Sequence, residues 1–133
     1  MLIAQDLIPE LEAACKDLLW RSEADYPFEV AAVPITKAPP SINMQLLATY
    51  PDDTPVAIVS LEKFFAQSIV ERSWFDAHEL SLVKRYRNLW DLLETILENP
   101  QVYRIGSVEI DVYLLGKTED GQVIGVKTKV VET

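Results

Sequence analysis

The chain has 133 residues and sets 21 acidic side chains against 12 basic ones, for a formal charge of −9. That is one domain of ordinary size, and with 49% hydrophobic residues and only 4 glycines it has the composition of a packed fold and not of a disordered tail. The negative field opposes approach to nucleic acid and anionic lipid, and it favours encounter with a basic partner.

Met1-Leu2-Ile3-Ala4 is followed by Asp6, Pro9 and Glu10. This start lacks the basic region and long apolar run of an export signal, and no stretch approaches the length of a membrane span. The single cysteine, Cys15, allows no internal disulfide and matches no zinc-ligand spacing, so a reducing, cytoplasmic compartment is expected. From Asp6 to Trp20 the pattern reads as a helix. Pro9 suits a first turn, and Leu7, Leu11, Ala14/Cys15, Leu18 and Leu19 recur near the helical period. Cys15 falls in this stripe as a buried thiol. Tyr26-Pro27 cannot continue a helix, because the residue before proline is driven to extended conformation. Glu23 and Asp25 therefore belong to a connecting loop, ahead of a strand at Phe28 to Val33.

Pro34, Pro39 and Pro40 punctuate the next segment, and Ser41 to Ala48 reads as a short helix with Ser41 as its cap. Tyr50 to Pro55 is rich in turn residues, and Val56 to Val59 is a short apolar strand. Ser60 caps a short helix through Phe65, with Phe64 and Phe65 as core anchors. Glu71-Arg72-Ser73-Trp74-Phe75-Asp76 is a polar linker around a tryptophan. Such a residue either tucks onto the domain or is offered to a partner.

The longest helix is expected from Asp76 or Ala77 to Glu98, with Asn99-Pro100 stopping it. Its Lys84-Arg85-Tyr86-Arg87 cluster, balanced by Asp91, Glu94 and Glu98, reads as a solvated face and not as a nucleic-acid patch. His78 is the only histidine and reads as a surface side chain. The remainder is a three-strand meander: Val102 to Ile105, Val108 to Leu115, and Gln122 to Val131. Asp120-Gly121 between the last two is a hairpin signal, which in a type I′ turn requires positive φ at both residues. The final residue, Thr133, comes directly after a strand and would be held in a fixed place.

There is no P-loop, dinucleotide fingerprint, paired-cysteine metal site or defensible Ser-His-Asp arrangement. No catalytic residue, cofactor or metal site of the chain's own is expected. The element order gives an α+β fold with helices on a largely antiparallel sheet.

Several runs together, NPQVYRIGSVEIDVYLLGKT with the TKVVET ending, SEADYPFEV, Ala38-Pro39-Pro40 and the segment around Trp74, resemble the nuclease A inhibitor family. These are small acidic cyanobacterial proteins that block a sugar-nonspecific nuclease. The likeness spans nearly the whole chain. It implies a single inhibitor-like domain over residues 1–133, built as a three-layer α/β/α sandwich. It further implies an inhibitor, not an enzyme, that forms a heterodimer with a magnesium-dependent nonspecific DNA/RNA endonuclease whose cleft is basic. It implies no direct contact with nucleic acid or membrane.

By the same resemblance Glu23, in the SE ahead of the YPFEV run, is directed at the target's active site, and Trp74 contacts the target. Thr133 reaches the target's catalytic metal, as the matching end of TKVVET. One position departs from the family pattern, which has an acidic residue directly before the tryptophan where this chain has Ser73. Glu71 or Asp76 could replace the lost charge. The alternative is an interaction protein of the same fold with a target that is not a nuclease.

Overall fold

A computed structural model describes residues 3–33 and 49–132. Helix α1 spans Ala4–Cys15, and strands β1 (Leu19–Arg21) and β2 (Asp25–Pro27) form a two-stranded antiparallel hairpin. Then come β3 (Glu29–Val33), β4 (Val56–Val59), α2 (Leu61–Phe65), α3 (Ala77–Ile96), β5 (Glu98–Ile105), β6 (Glu109–Lys117) and β7 (Val123–Val131). Strands β3 to β7 make one antiparallel sheet in the order β3-β7-β6-β5-β4. The fold is α+β, as its element order implies. The helix expected at Ser41–Ala48 and the Ala38-Pro39-Pro40 motif lie outside the described residues.

The first helix ends earlier than its periodicity suggests. Asp17 takes φ +56°, the left-handed conformation that aspartate tolerates better than most residues, and the chain turns into β1. Leu18 and Trp20 are then buried while Leu19 is exposed. That is the two-residue alternation of a strand. Leu18 to Trp20, read as the last turn of a helix, are thus the entry to the hairpin.

Both faces of the sheet carry buried side chains. On one face Val102, Val112, Leu114, Val126 and Val130 pack against Leu7, Leu11 and Cys15 of α1 and Tyr86, Leu89 and Leu93 of α3. Each such large apolar side chain contributes about 1.5–3 kcal/mol on full burial. On the other face Ala31, Val33, Tyr103, Ile105, Leu115 and Val123 cluster, with Tyr50, Val56 and Tyr113 against them. The Tyr50 hydroxyl donates to Asp111 Oδ2 at 2.7 Å and lies 3.3 Å from the Tyr113 hydroxyl. Burial, then these two bonds, raise the Tyr50 pKa above its ordinary value.

The hairpin is anchored through its aromatic residue. Trp20 stacks on Phe64 at 4.3 Å between ring centroids and meets Tyr86, Phe65 and Phe28 edge-on at 5.0, 5.7 and 5.8 Å. Ser60 caps α2 as expected, its hydroxyl accepting from the Lys63 N–H at 3.0 Å. Phe65 is fully buried, whereas Phe64 is only partly so.

Helix α3 begins at an Asp76 cap, whose carboxylate accepts from the Glu79 N–H at 2.8 Å. It ends at Ile96, before Asn99-Pro100, because Leu97 is already extended. Strand β5 starts at Glu98, and Asn99 with φ +49° marks an irregularity in the ladder before Gln101. Asn99-Pro100 is therefore a bulge inside the strand and not the helix stop.

The Asp120-Gly121 turn has a different geometry from type I′. Gly121 has φ +83°, but Asp120 does not share the positive angle. Thr118 N–H donates to Gln122 O at 2.9 Å and Gly121 N–H to Thr118 O at 3.0 Å. This is a three-residue hairpin loop with glycine in the left-handed position. Gly125 meets a different demand, since a Cβ there would stand 1.8 Å from the Leu114 carbonyl oxygen.

Candidate protein-binding face

Strand β3 pairs with β7 only from Lys127 back to Val123. Past that point the β1–β2 hairpin takes over the outer edge of β7. The Thr128 hydroxyl donates to Tyr26 O at 3.3 Å, the Val131 N–H donates to Ser22 Oγ at 3.1 Å, and the Glu23 N–H donates to Val131 O at 3.4 Å. The Ser22 hydroxyl in turn donates to Ala24 O at 2.7 Å. The turn that carries Glu23 is thus tied to the last residues of the sheet.

Glu23 is exposed at this turn. It does not sit on an open connecting loop, and Asp25, read as its loop neighbour, begins β2. On the other side of β7 the Glu132 N–H donates to Val108 O at 2.9 Å. The Glu132 carboxylate pairs with Arg104 of β5 at 2.7 Å, with side chains 54% and 25% exposed. Thr133 lies outside the described residues, one peptide bond beyond Glu132.

Between the hairpin tip and β4 runs an open groove of about 660 Å³, lined among others by Glu23, Ala57, Lys63, Gln67, Arg104 and Glu132. Glu23 and the end of β7 therefore share one surface feature. Arg104 was not visible in the sequence as a site residue, yet the signal was there. It is two residues from the fully buried Val102, so strand alternation places a charge on the core-facing side. Arginine at such a position needs a partner, and Glu132 supplies it.

Trp74 is the most exposed large hydrophobic residue described, at 75%. It stands in the segment between α2 and α3, edge-on to Phe75 at 6.2 Å. Arg21, Gln67 and Ser68 line both the groove and a smaller cleft, about 140 Å³, bounded by Val70, Arg72 and Phe75. The tryptophan's segment thus adjoins the hairpin. Ser73 is exposed beside it. The two acids that could stand in for a charge there have other partners. Glu71 pairs with Arg87 at 3.4 Å, and Asp76 caps α3.

Cys15, Arg85 and Tyr86 are engaged within the fold. Burial pushes the Cys15 thiol up to about 11, partly offset by Arg85. A thiol with so little thiolate is a poor nucleophile. Arg85 donates to the carbonyls of Ala14 and Lys16 at 3.2 and 2.5 Å, binding the end of α1 to α3. Tyr86 is buried, and its hydroxyl donates to Leu19 O at 2.5 Å. His78 is exposed. Among the described residues no group of three His, Cys, Asp or Glu side chains could hold a metal ion, and no helix is long and apolar enough to cross a membrane.

No curated protein sequence matches the chain. The family model for nuclease A inhibitor-like proteins, a family of inhibitors and not of enzymes, does match it over residues 5–133. Covering nearly every residue from α1 through β7 and the chain's last position, that match makes this chain a member of the nuclease A inhibitor-like family.

Proposed function

We propose that this protein binds and blocks the active site of a magnesium-dependent, nonspecific DNA/RNA endonuclease, as one half of a heterodimer. The observation that carries the reading, beside family membership, is the junction of the Glu23 turn with the end of β7 through Ser22 and Val131. The Glu23 turn and the last described residues of β7, from distant parts of the sequence, are held together beside a groove, and the segment of the exposed Trp74 adjoins them.

In this reading the Glu23 carboxylate stands in for the scissile phosphate and accepts hydrogen bonds from cationic groups of the target. Thr133 brings an oxygen to the target's catalytic magnesium. Magnesium favours hard oxygen ligands and keeps several waters, one of which an incoming oxygen can replace. The ion would then be occupied by a group with no cleavable bond. Trp74 supplies apolar anchoring at the side of the contact. The three-layer α/β/α arrangement of the family belongs to the same reading. Its support here is the second buried sheet face around Leu115 and Val123, since an apolar sheet face requires a covering layer.

The test is a titration of a sugar-nonspecific, magnesium-dependent nuclease of the ββα-metal type with the purified chain. Cleavage of DNA and of RNA should both fall to background near equimolar inhibitor, and the chain alone should cleave neither. Full nuclease activity at large excess would refute the proposal and leave a target that is not a nuclease.

A further inference from the structure

We propose, building on the inhibitory reading, that Ser22 and Arg104 are positioning residues. They lock the hairpin turn and the end of β7 into one rigid unit and thereby fix where Glu23 and the end of that strand meet a target. Neither residue needs to touch the target for this role.

The Ser22 hydroxyl makes two bonds that run in opposite directions along the junction. It accepts from the Val131 N–H at 3.1 Å and donates to Ala24 O at 2.7 Å. The first holds β7, and the second closes the turn around Glu23. With the Glu23 N–H on Val131 O, both backbone groups of Val131 are engaged by the hairpin. A hydroxyl can serve both partners because it is donor and acceptor at once. Alanine at this position removes both bonds, and a carboxylate or ammonium would satisfy only one kind.

Arg104 acts from the opposite side. It rises from β5, and its guanidinium donates to Glu132 Oε1 at 2.7 Å, both residues lining the groove. This is the length of a charge-assisted hydrogen bond. The Glu132 N–H is meanwhile held by Val108 O at 2.9 Å. Glu132 is thus fixed at its main chain by Val108, just before β6, and at its side chain by Arg104 of β5. Ser22 and Arg104 therefore restrain consecutive residues, Val131 and Glu132, from two directions.

A contact group that is already in place binds without the cost of ordering it, which is about 0.5–1.5 kcal/mol for each immobilised side chain, or roughly two- to tenfold in affinity. The loss on removing either restraint should accordingly be about that size, and smaller than for a group that touches the metal.

Two arms decide the matter. In the first, amide hydrogen exchange of the free protein is compared between the native chain, Ser22→Ala and Ser22→Thr. Exchange at Val131 should quicken in the alanine variant and return toward native with threonine, which keeps the hydroxyl. Val126, in the middle of β7, should not change. Unaltered exchange at Val131 in Ser22→Ala overturns the Ser22 restraint, whether or not any nuclease is inhibited.

In the second arm, inhibition of the nuclease is measured for Arg104→Glu, for Glu132→Arg and for the two together. Each reversal alone should weaken inhibition about two- to tenfold or somewhat more, and the pair together should recover most of it at unchanged melting temperature. A double variant as weak as the singles overturns the positioning role, as do singles that inhibit fully. A native chain that fails to inhibit would refute the inhibitory reading itself, and the exchange arm would still decide the restraint.

Discussion

Replacing Trp74 by alanine separates binding from folding more cleanly than any other change in this chain. The side chain is 75% exposed, and among the described residues its one ring contact is edge-on to Phe75 at 6.2 Å. Folding should therefore hardly register the loss, since surface substitutions of this kind stay within about ±0.5 kcal/mol. Binding is another matter. A tryptophan offers up to about 250 Å². With three-quarters of it still exposed, roughly 190 Å² remains for a partner to cover, worth about 4–5 kcal/mol at ~25 cal/mol per Å². Alanine retains part of that area and the partner relaxes around the gap, so the loss should be about 2–4 kcal/mol, or 30- to 1,000-fold in affinity. The assay pairs a competition measurement of the inhibition constant with thermal melting of the free variant. Inhibition unchanged within threefold, or a melting temperature several degrees lower, would refute the exposed-anchor reading.

Three further outcomes are expected. Glu23→Gln keeps the shape of the side chain and removes its charge, so inhibition should weaken by about 2–5 kcal/mol, mainly through faster dissociation; an unaltered dissociation rate would return Glu23 to an ordinary solvated carboxylate. Deleting Thr133, or extending the chain past it with Gly-Ser, should sharply weaken inhibition without altering the melting temperature, and full inhibition by both would exclude a metal-directed role. Alkaline pH should destabilise the fold. Burial raises the Cys15 thiol from 9.0 to about 11 and the Tyr86 phenol from 10.0 to about 12, so the unfolded chain releases these protons first. Their contribution to stability is complete below about pH 9 and is lost as pH rises through the two folded values, so the urea midpoint should fall over that range; a midpoint that rises there would contradict the assigned burial.

Most of the sheet was legible because its signals are local. The alternation in Val108 to Leu115, the Gly121 turn and the run from Gln122 to Val131 each report on a few neighbours, and β6 and β7 lie within two residues of those bounds. The hairpin was not legible. Leu18 and Leu19 continue the apolar spacing of α1, and the helix ends before them where Lys16 turns extended and Asp17 turns left-handed. That break depends on Trp20 finding its aromatic surround of Phe28, Phe64, Phe65 and Tyr86, some of it more than sixty residues away. The same limit applies to the candidate face. Glu23, Trp74 and Thr133 could be named from the resemblance, but the link from Ser22 to Val131 and from Arg104 to Glu132 spans 109 and 28 residues of sequence. No pattern of neighbours encodes such pairings.

The hairpin along the outer edge of β7 has a consequence for solubility. Beyond Lys127 that strand would otherwise present unpaired backbone donors and acceptors, the template on which a stray strand from another chain can grow. The Val131 amide and carbonyl are satisfied instead by Ser22 and Glu23. The turn that offers Glu23 outward is thus also the guard that keeps this edge from adding strands. A variant that loosens the turn exposes the edge in the same event, so aggregation and loss of the Glu23 contact should appear together. The bonds described for this guard come from the main chain and the Ser22 hydroxyl, so it is at Ser22 that the two losses should appear together.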